Sequence, residues 1–152
     1  MAPAAFDLPY RGGFVGAEHR FALTVYFEDT DTAGIVYYAN YLKYMERARS
    51  DMLRAAGIDQ RAAIDAGTGV YAVAEAHVRY RAPARLGDDL TIASVLTIVR
   101  AASVVIQQTV RRGTEDIALG RITAVFLAPD GRPTRQPKEW VERFHAINRQ
   151  EV

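Results

Sequence analysis

The sequence predicts an α+β fold in which one five-stranded antiparallel sheet is built around a single long helix. Three observations carry this. A β-branched and aromatic run precedes a long amphipathic segment, four further β-rich runs follow it, and short turns join three of those runs into an antiparallel meander. At 152 residues the chain has the size of one ordinary domain.

Residues 1–19 mix Pro, Gly and small residues without a period, and are expected to form a loose arm before a single domain spanning 20–148. From Phe21 to Phe27, FALTVYF reads as a strand, and EDTDTAG after it reads as a loop. From about Asn40, Tyr41, Met45, Ala48 and Met52 fall at i, i+4, i+7 and i+11, the stripe of a half-buried helix, with Leu42, Tyr44 and Leu53 widening it. Lys43, Glu46, Arg47, Arg49 and Asp51 lie between them. Asn40 is the expected N-cap and Gly57 the expected stop.

After a linking segment with room for one helical turn (58–69), the β-rich runs are Val70–Arg81, Asp89–Arg100, Ser103–Arg112 and Ile117–Ala128. In the first of these Ala76, Val78 and Tyr80 alternate with His77, Arg79 and Arg81, the period of a strand with one buried face. PDGRP is a turn, and Lys138–Asn148 is expected to be a terminal helix.

Composition narrows the function. Hydrophobic residues make up 49% and charged residues 24%, a globular profile that argues against disorder. The net charge of +1 provides no general field for nucleic acid or an anionic membrane. Only Lys43 and Lys138 are lysines, so the positive charge is nearly all arginine, which suits phosphate contacts but also follows from biased composition. The chain has 0 cysteines, which excludes disulfides, thiolate nucleophiles and Cys-ligated zinc. No apolar run approaches the ~20 residues that span a bilayer, and the start lacks the pattern of a signal peptide. The expected compartment is the cytoplasm.

The stretch that carries chemistry runs from Tyr26 to Arg49. It sets an acidic loop, a glycine and an aromatic pair directly against a helix start. Unpaired N–H groups at a helix N-terminus can polarise a carbonyl and hold an oxyanion. A carboxylate on the preceding loop can act beside it as base or nucleophile. Gly34 permits positive φ or close approach, and Tyr37 and Tyr38 can wall off water. On the residues alone, Asp29 and Asp31 read first as turn caps, since Asp-Thr pairs hydrogen-bond their own backbone. A calcium loop is rejected, because Ala33 and Asn40 stand where such a loop needs ligands. His19, His77 and His145 fall in a tail, a strand and a helix, with no metal or triad spacing. Glu46 is either an acid reaching the site or a solvent-side residue. Tyr41 and Tyr44 suit the core.

These residues resemble the 4-hydroxybenzoyl-CoA thioesterase family, and within it the Tol–Pal-associated acyl-CoA thioesterases. The family's Asp-x-Asp-x-x-Gly-[Ile/Val]-Val-aromatic loop, followed by Asn-Tyr and a helix, stands here as Asp29, Asp31, Gly34, Ile35, Val36, Tyr37, Asn40 and Tyr41. Glu46-Arg47-Ala48-Arg49 and YRAPARLGD (80–88) continue the match, which covers roughly residues 20–147. The resemblance implies a hotdog fold and hydrolysis of an acyl-CoA. In it Asp31 is the catalytic carboxylate, and the backbone N–H of Tyr38 polarises the thioester carbonyl. Gly34, Val36, Tyr37, Asn40, Tyr41 and Glu46 are expected around the substrate, with Tyr37 lining the acyl pocket. Arg100 is expected near the CoA nucleotide, with Ser103 in the same turn. Coenzyme A is part of the substrate, and neither cofactor nor metal is implied. A homodimer or homotetramer with interface active sites is implied, as is an association with the envelope. Tyr38 stands where many relatives carry histidine, leaving Asp31 as the one acid–base group. The rivals are a hotdog hydratase or dehydratase, which would need a histidine at the site, and a non-catalytic acyl-thioester-binding or envelope partner protein.

Overall fold

The computed structural model of the chain describes residues 1–150. Its organising element is helix α1 (Asn40–Ala55). Tyr41, Tyr44, Met45, Ala48, Met52 and Leu53 are all buried, as the period requires, whereas Leu42 lies on the exposed flank. The helix starts where expected, but with a different cap. Ala39 holds the N-cap position with helical backbone, and Asn40 is the first helical residue. The amide of Asn40 is engaged elsewhere, donating to Asp29 O at 2.8 Å. The C-terminus closes as anticipated. Gly57 takes φ +82, its N–H reaches Arg54 O, and Ile58 N–H reaches Leu53 O. That pair of bonds satisfies two terminal carbonyls and brings buried Ile58 against the helix end.

A short helix α2 (Gln60–Asp65) follows, and a terminal helix α3 (Lys138–Asn148) ends the fold. The strands are β1 (Gly13–Val15), β2 (Glu18–Thr24), β3 (Val70–Tyr80), β4 (Asp89–Val99), β5 (Ser103–Arg112) and β6 (Glu115–Leu127). They form one sheet of order β1-β2-β4-β5-β6-β3 in which every pairing is antiparallel. The sheet thus has six strands, one more than expected. The extra strand comes from the N-terminal segment that looked formless, turned back on β2 through Gly16 at φ +62. β2 itself begins and ends earlier than expected, because it pairs with β4 from His19↔Ser94 to Thr24↔Asp89 and β4 starts at Asp89. Phe27 falls beyond it in a helical turn.

Register shifts at Val73/Glu75, Leu96/Ile98 and Val110/Arg111 mark bulges, which bend and twist a sheet. α1 crosses the concave face. Its first half packs Tyr44, Met45 and Ala48 on Leu90, Ile92, Val110 and Ile122. Its second half packs Met52 and Leu53 on Leu96, Val104, Ile106 and Phe144 of α3. Gly120 on β6 lets Met45 pack closely, since a Cβ there would lie 2.7 Å from Met45 Sδ and push the thioether aside. β3 is the outer edge, paired only with β6, and its Val73 is 50% exposed.

His19 at the head of β2 is fully buried, with Nε2 2.7 Å from Asp51 Oδ2 on α1. Asp51 also accepts the Gly12 N–H at 3.0 Å. One carboxylate thereby pins both the N-terminal segment and β2 to the central helix. Burial pushes the His19 imidazole below its ordinary pKa, against the opposing pull of Asp51, and its Nδ1 has no hydrogen-bond partner.

Candidate active site

The loop between β2 and α1 is held from both sides. Val25 N–H donates to Asp88 O at 2.9 Å and Val36 N–H to Ala84 O at 2.8 Å, so the β3–β4 connection braces it. Within it Thr30 bridges Val36, and Ile35 bridges Arg85. Asp29 is structural, as turn chemistry suggested. Its carboxylate caps Tyr26 N–H at 2.8 Å, and its carbonyl accepts Tyr37 N–H at 3.0 Å and the Asn40 amide at 2.8 Å. Those bonds tie the loop to the helix start.

Asp31 stands at the tip. Its N–H donates to Ile35 O, and Gly34 N–H donates back to Asp31 O at 3.0 Å, a tight reversal that Gly34 makes possible at φ +76. Asp31 Oδ1 accepts Ala33 N–H at 2.8 Å. Oδ2 has no partner among the described residues, and the side chain is exposed. The carboxylate is therefore oriented through one oxygen and open at the other.

At the helix start Asn40, Tyr41 and Leu42 N–H groups are used in turns to Tyr37, Tyr38 and Ala39 carbonyls. The N–H groups of Tyr38 and Ala39 have no partner among the described residues. They carry the positive end of the helix dipole. Tyr37 and Tyr38 are exposed and pack edge to face at 5.0 Å. Tyr80 of β3 completes the wall, 6.0 Å from Tyr38 and 5.6 Å from Tyr41. Burial and the neighbouring Tyr38 push the Tyr80 phenol up, so it stays protonated near neutrality.

The expected site residues thus divide. Asp31, Gly34, Tyr37 and Tyr38 are brought together at the surface. Val36, Asn40 and Tyr41 are buried beneath them and act as supports. Tyr41 accepts Ala84 N–H at 3.3 Å, joining α1 to the bracing connection. Glu46 lies two helical turns further on, accepting the Ser50 hydroxyl at 2.7 Å. Arg100 and Ser103 are not near Asp31 in the same chain. They close the β4–β5 hairpin, Arg100 N–H to Ser103 O at 2.8 Å, and β4 starts beside the Asp31 loop. Eleven residues of strand, roughly 35 Å, separate the two ends.

Two features escaped the sequence reading. Arg85, inside YRAPARLGD, is placed beside the loop by its bridge to Ile35, and its guanidinium makes no salt bridge among the described residues. A groove of about 530 Å³ also runs between α1 and β3, past Leu42, Glu46 and Arg49 on one side and Val73 and Ala76 on the other. Arginine spacing could have flagged the first. The second depends on strand order.

Comparison with known proteins finds the same fold in known thioesterases. The Thioesterase-like superfamily matches residues 25–144. The acyl-CoA thioester hydrolase YbgC of Escherichia coli O6:H1 is 36% identical over 128 residues, covering 82% of this chain and 94% of that protein. A probable thioesterase from Bartonella henselae is 27% identical with a TM-score of 0.76, over 80% of this chain and 100% of the other. The 4-hydroxybenzoyl-CoA thioesterase of Pseudomonas sp. strain CBS-3 shares the fold, with a TM-score of 0.77 at 23% identity over 84% and 99% of the two chains.

Proposed function

The chain belongs to the thioesterase-like superfamily and has its hotdog fold, and we propose that it hydrolyses acyl-CoA thioesters with Asp31 as the catalytic carboxylate. The observation that carries the mechanism is the pairing of an oriented, half-free carboxylate with two unpartnered N–H groups across one loop. The thioester carbonyl oxygen accepts from Tyr38 N–H and Ala39 N–H, which become stronger partners as charge develops on that oxygen. Asp31 Oδ2 then attacks the carbonyl carbon, or removes a proton from the water that does. In both routes the C–S bond breaks and the departing thiolate takes up a proton that comes from water; in the first, water then cleaves the acyl–Asp31 anhydride, so that either route ends in free acid, free thiol and a restored carboxylate. The tyrosines around the loop exclude bulk water from the reacting centre. No histidine of this chain lies in the loop-to-helix region, which disfavours a hydratase.

Oligomerisation belongs to the same reading. β3 presents an unpaired edge, which proteins rarely leave open. Two copies joined antiparallel through β3 would bring the Val70 end of one beside the Tyr80 end of the other. Val70 pairs with Leu127, next to the Ser103↔Val125 pair, so the partner's Arg100 and Ser103 would approach the Asp31 loop. Arg100 then reaches the CoA nucleotide in trans. No helix among the described residues is long and apolar enough to cross a membrane. The cytoplasm is the compartment this substrate implies, and an envelope association rests on the family resemblance.

The test is thiol release from acyl-CoA by wild type and Asp31→Asn. Asparagine keeps the Oδ1 acceptor for Ala33, so the melt should be unchanged while the rate falls about 10²- to 10⁴-fold. Equal measurable rates would remove Asp31 from the chemistry, and no release by either protein would leave an acyl-thioester-binding protein as the reading.

A further inference from the structure

We infer that residues 9–15 are a strap that shuts the β2 edge of the sheet against strand pairing with a second copy of this chain. The outer neighbour of β2 is the three-residue β1. Backbone groups of alternate residues point to the same side of a strand. On the outer side of β2 they belong to Glu18, Arg20, Ala22 and Thr24. Glu18 and Arg20 pair with Val15 and Gly13 of β1. Ala22 lies past the reach of β1, and its N–H donates to the Tyr10 hydroxyl at 3.2 Å. A side-chain hydroxyl thus extends the ladder that β1 is too short to complete. Among the described residues the strap leaves only Thr24 of the four uncovered.

The strap is fitted closely to its place. Gly12 N–H reaches Asp51 Oδ2 at 3.0 Å. A Cβ on Gly12 would collide with the Arg20 carbonyl oxygen and come within 2.9 Å of Asp51 Oδ2, so only glycine passes here. The Tyr10 ring meets Phe21 edge to face at 5.4 Å, and Phe14 meets the buried His19 ring at 5.3 Å. The strand beneath needs such a cover. From Phe21 to Val25, FALTV contains strand formers with neither charge nor proline, the composition that lets an open edge recruit another chain. Its charged end is already satisfied, since Arg20 pairs with Glu18 at 2.9 Å. A second copy is the partner that fits, because a two-fold axis sets the same strand antiparallel to itself. The strap is a poor template in its turn. It starts at Pro9, which has no N–H, and its short strand is flanked by Gly12 and Gly16. The strap also lies outside the region matched by the superfamily, which begins at residue 25.

The test uses the full chain, whose 0 cysteines let one introduced thiol report on β2. Ala22→Cys, at an exposed position, is compared with the same chain carrying Gly12→Val, which pushes the strap off. Amide exchange over residues 10–24 should rise roughly tenfold or more in the double variant, and a short bismaleimide should join copies through position 22. Tyr10→Phe keeps the ring and removes only the hydroxyl, and it carries the test if Gly12→Val does not fold. There the Ala22 amide should exchange about two- to tenfold faster, with cross-linking through position 22 rising alongside. Unchanged exchange in the folded variant overturns the proposal. So does a strap that opens with no more cross-linking than Ala22→Cys alone.

Discussion

Asp51→Ala measures how firmly the N-terminal segment belongs to the fold. The Asp51 side chain is 10% exposed and bonds His19 Nε2 at 2.7 Å. It also takes Gly12 N–H at 3.0 Å and Arg54 at 3.2 Å. Alanine would leave the buried His19 ring with neither nitrogen partnered, because Nδ1 already has none. An unsatisfied buried polar group costs about 1–3 kcal/mol, and hydrogen bonds to a charged group contribute about 1.5–3 kcal/mol. The half-exposed Arg54 pair adds little. Because the two terms overlap, we take about 3–5 kcal/mol in all, and in a domain of this size each kcal/mol moves Tm by about 2–4 °C. Thermal unfolding followed by circular dichroism at pH 7.5 should therefore show a fall of roughly 6–20 °C. Asp65→Ala is the control, since its pair with Arg61 is exposed at 63% and 85% and should be worth at most about 1 kcal/mol. A fall for Asp51→Ala no larger than that control would refute the argument that this carboxylate pins β1 and β2 to α1.

Three further outcomes follow from the same contacts. The folded His19 pKa lies below 6.5, burial being the largest cause, so below about pH 6.5 the unfolded chain binds a proton that the folded chain refuses. Its effect on stability is absent above that pH and becomes a loss as acid increases; urea midpoints at pH 7.5 and 5.5 should diverge more in wild type than in His19→Gln, and equal divergence would contradict it. Asn40→Ala leaves Asp29 O with its Tyr37 bond, so it should cost only about 0.5–1.5 kcal/mol. Thiol release should nonetheless slow by about 10- to 100-fold as the Asp31 loop shifts, and a normal rate would deny Asn40 a positioning role. Tyr38→Phe keeps the backbone N–H and should hold its rate within about threefold, whereas a hundredfold loss would place the phenol in the chemistry.

What the sequence revealed was what each element carries within itself. The stripe of Tyr41, Met45, Ala48 and Met52, the stop at Gly57 and the bounds of α3 all follow from periods and caps inside a single segment. β1 has no such signal. Its three residues become a strand because β2 is beside them, and β2 is fixed by His19 meeting an aspartate 32 positions away. The Asn40 cap failed for a similar reason. Its amide had a better use on the Asp29 carbonyl, a partner that exists only once the loop has folded back.

The site divides along the same line, and the division bears on specificity. Asp31, Gly34 and Tyr38 share one short loop, so a local motif sufficed to bring the candidate site residues together. The region that would hold the substrate is made by strand order. β3 comes next after α2 in the chain but sits at the far edge beyond β6, and its bulge opens the gap along α1. Arg100 was assigned to the nucleotide by position, yet the length of β4 sets it at the opposite end of its own subunit. It can serve Asp31 only across a β3–β3 junction, where antiparallel pairing exchanges the two ends. Closing that junction would leave the α1–β3 groove inside each subunit while the nucleotide site spans two. A change that breaks the dimer should therefore weaken CoA binding more than it alters acyl-chain preference, and measuring KM and chain-length profile together on a β3-edge variant such as Ala74→Pro separates the two.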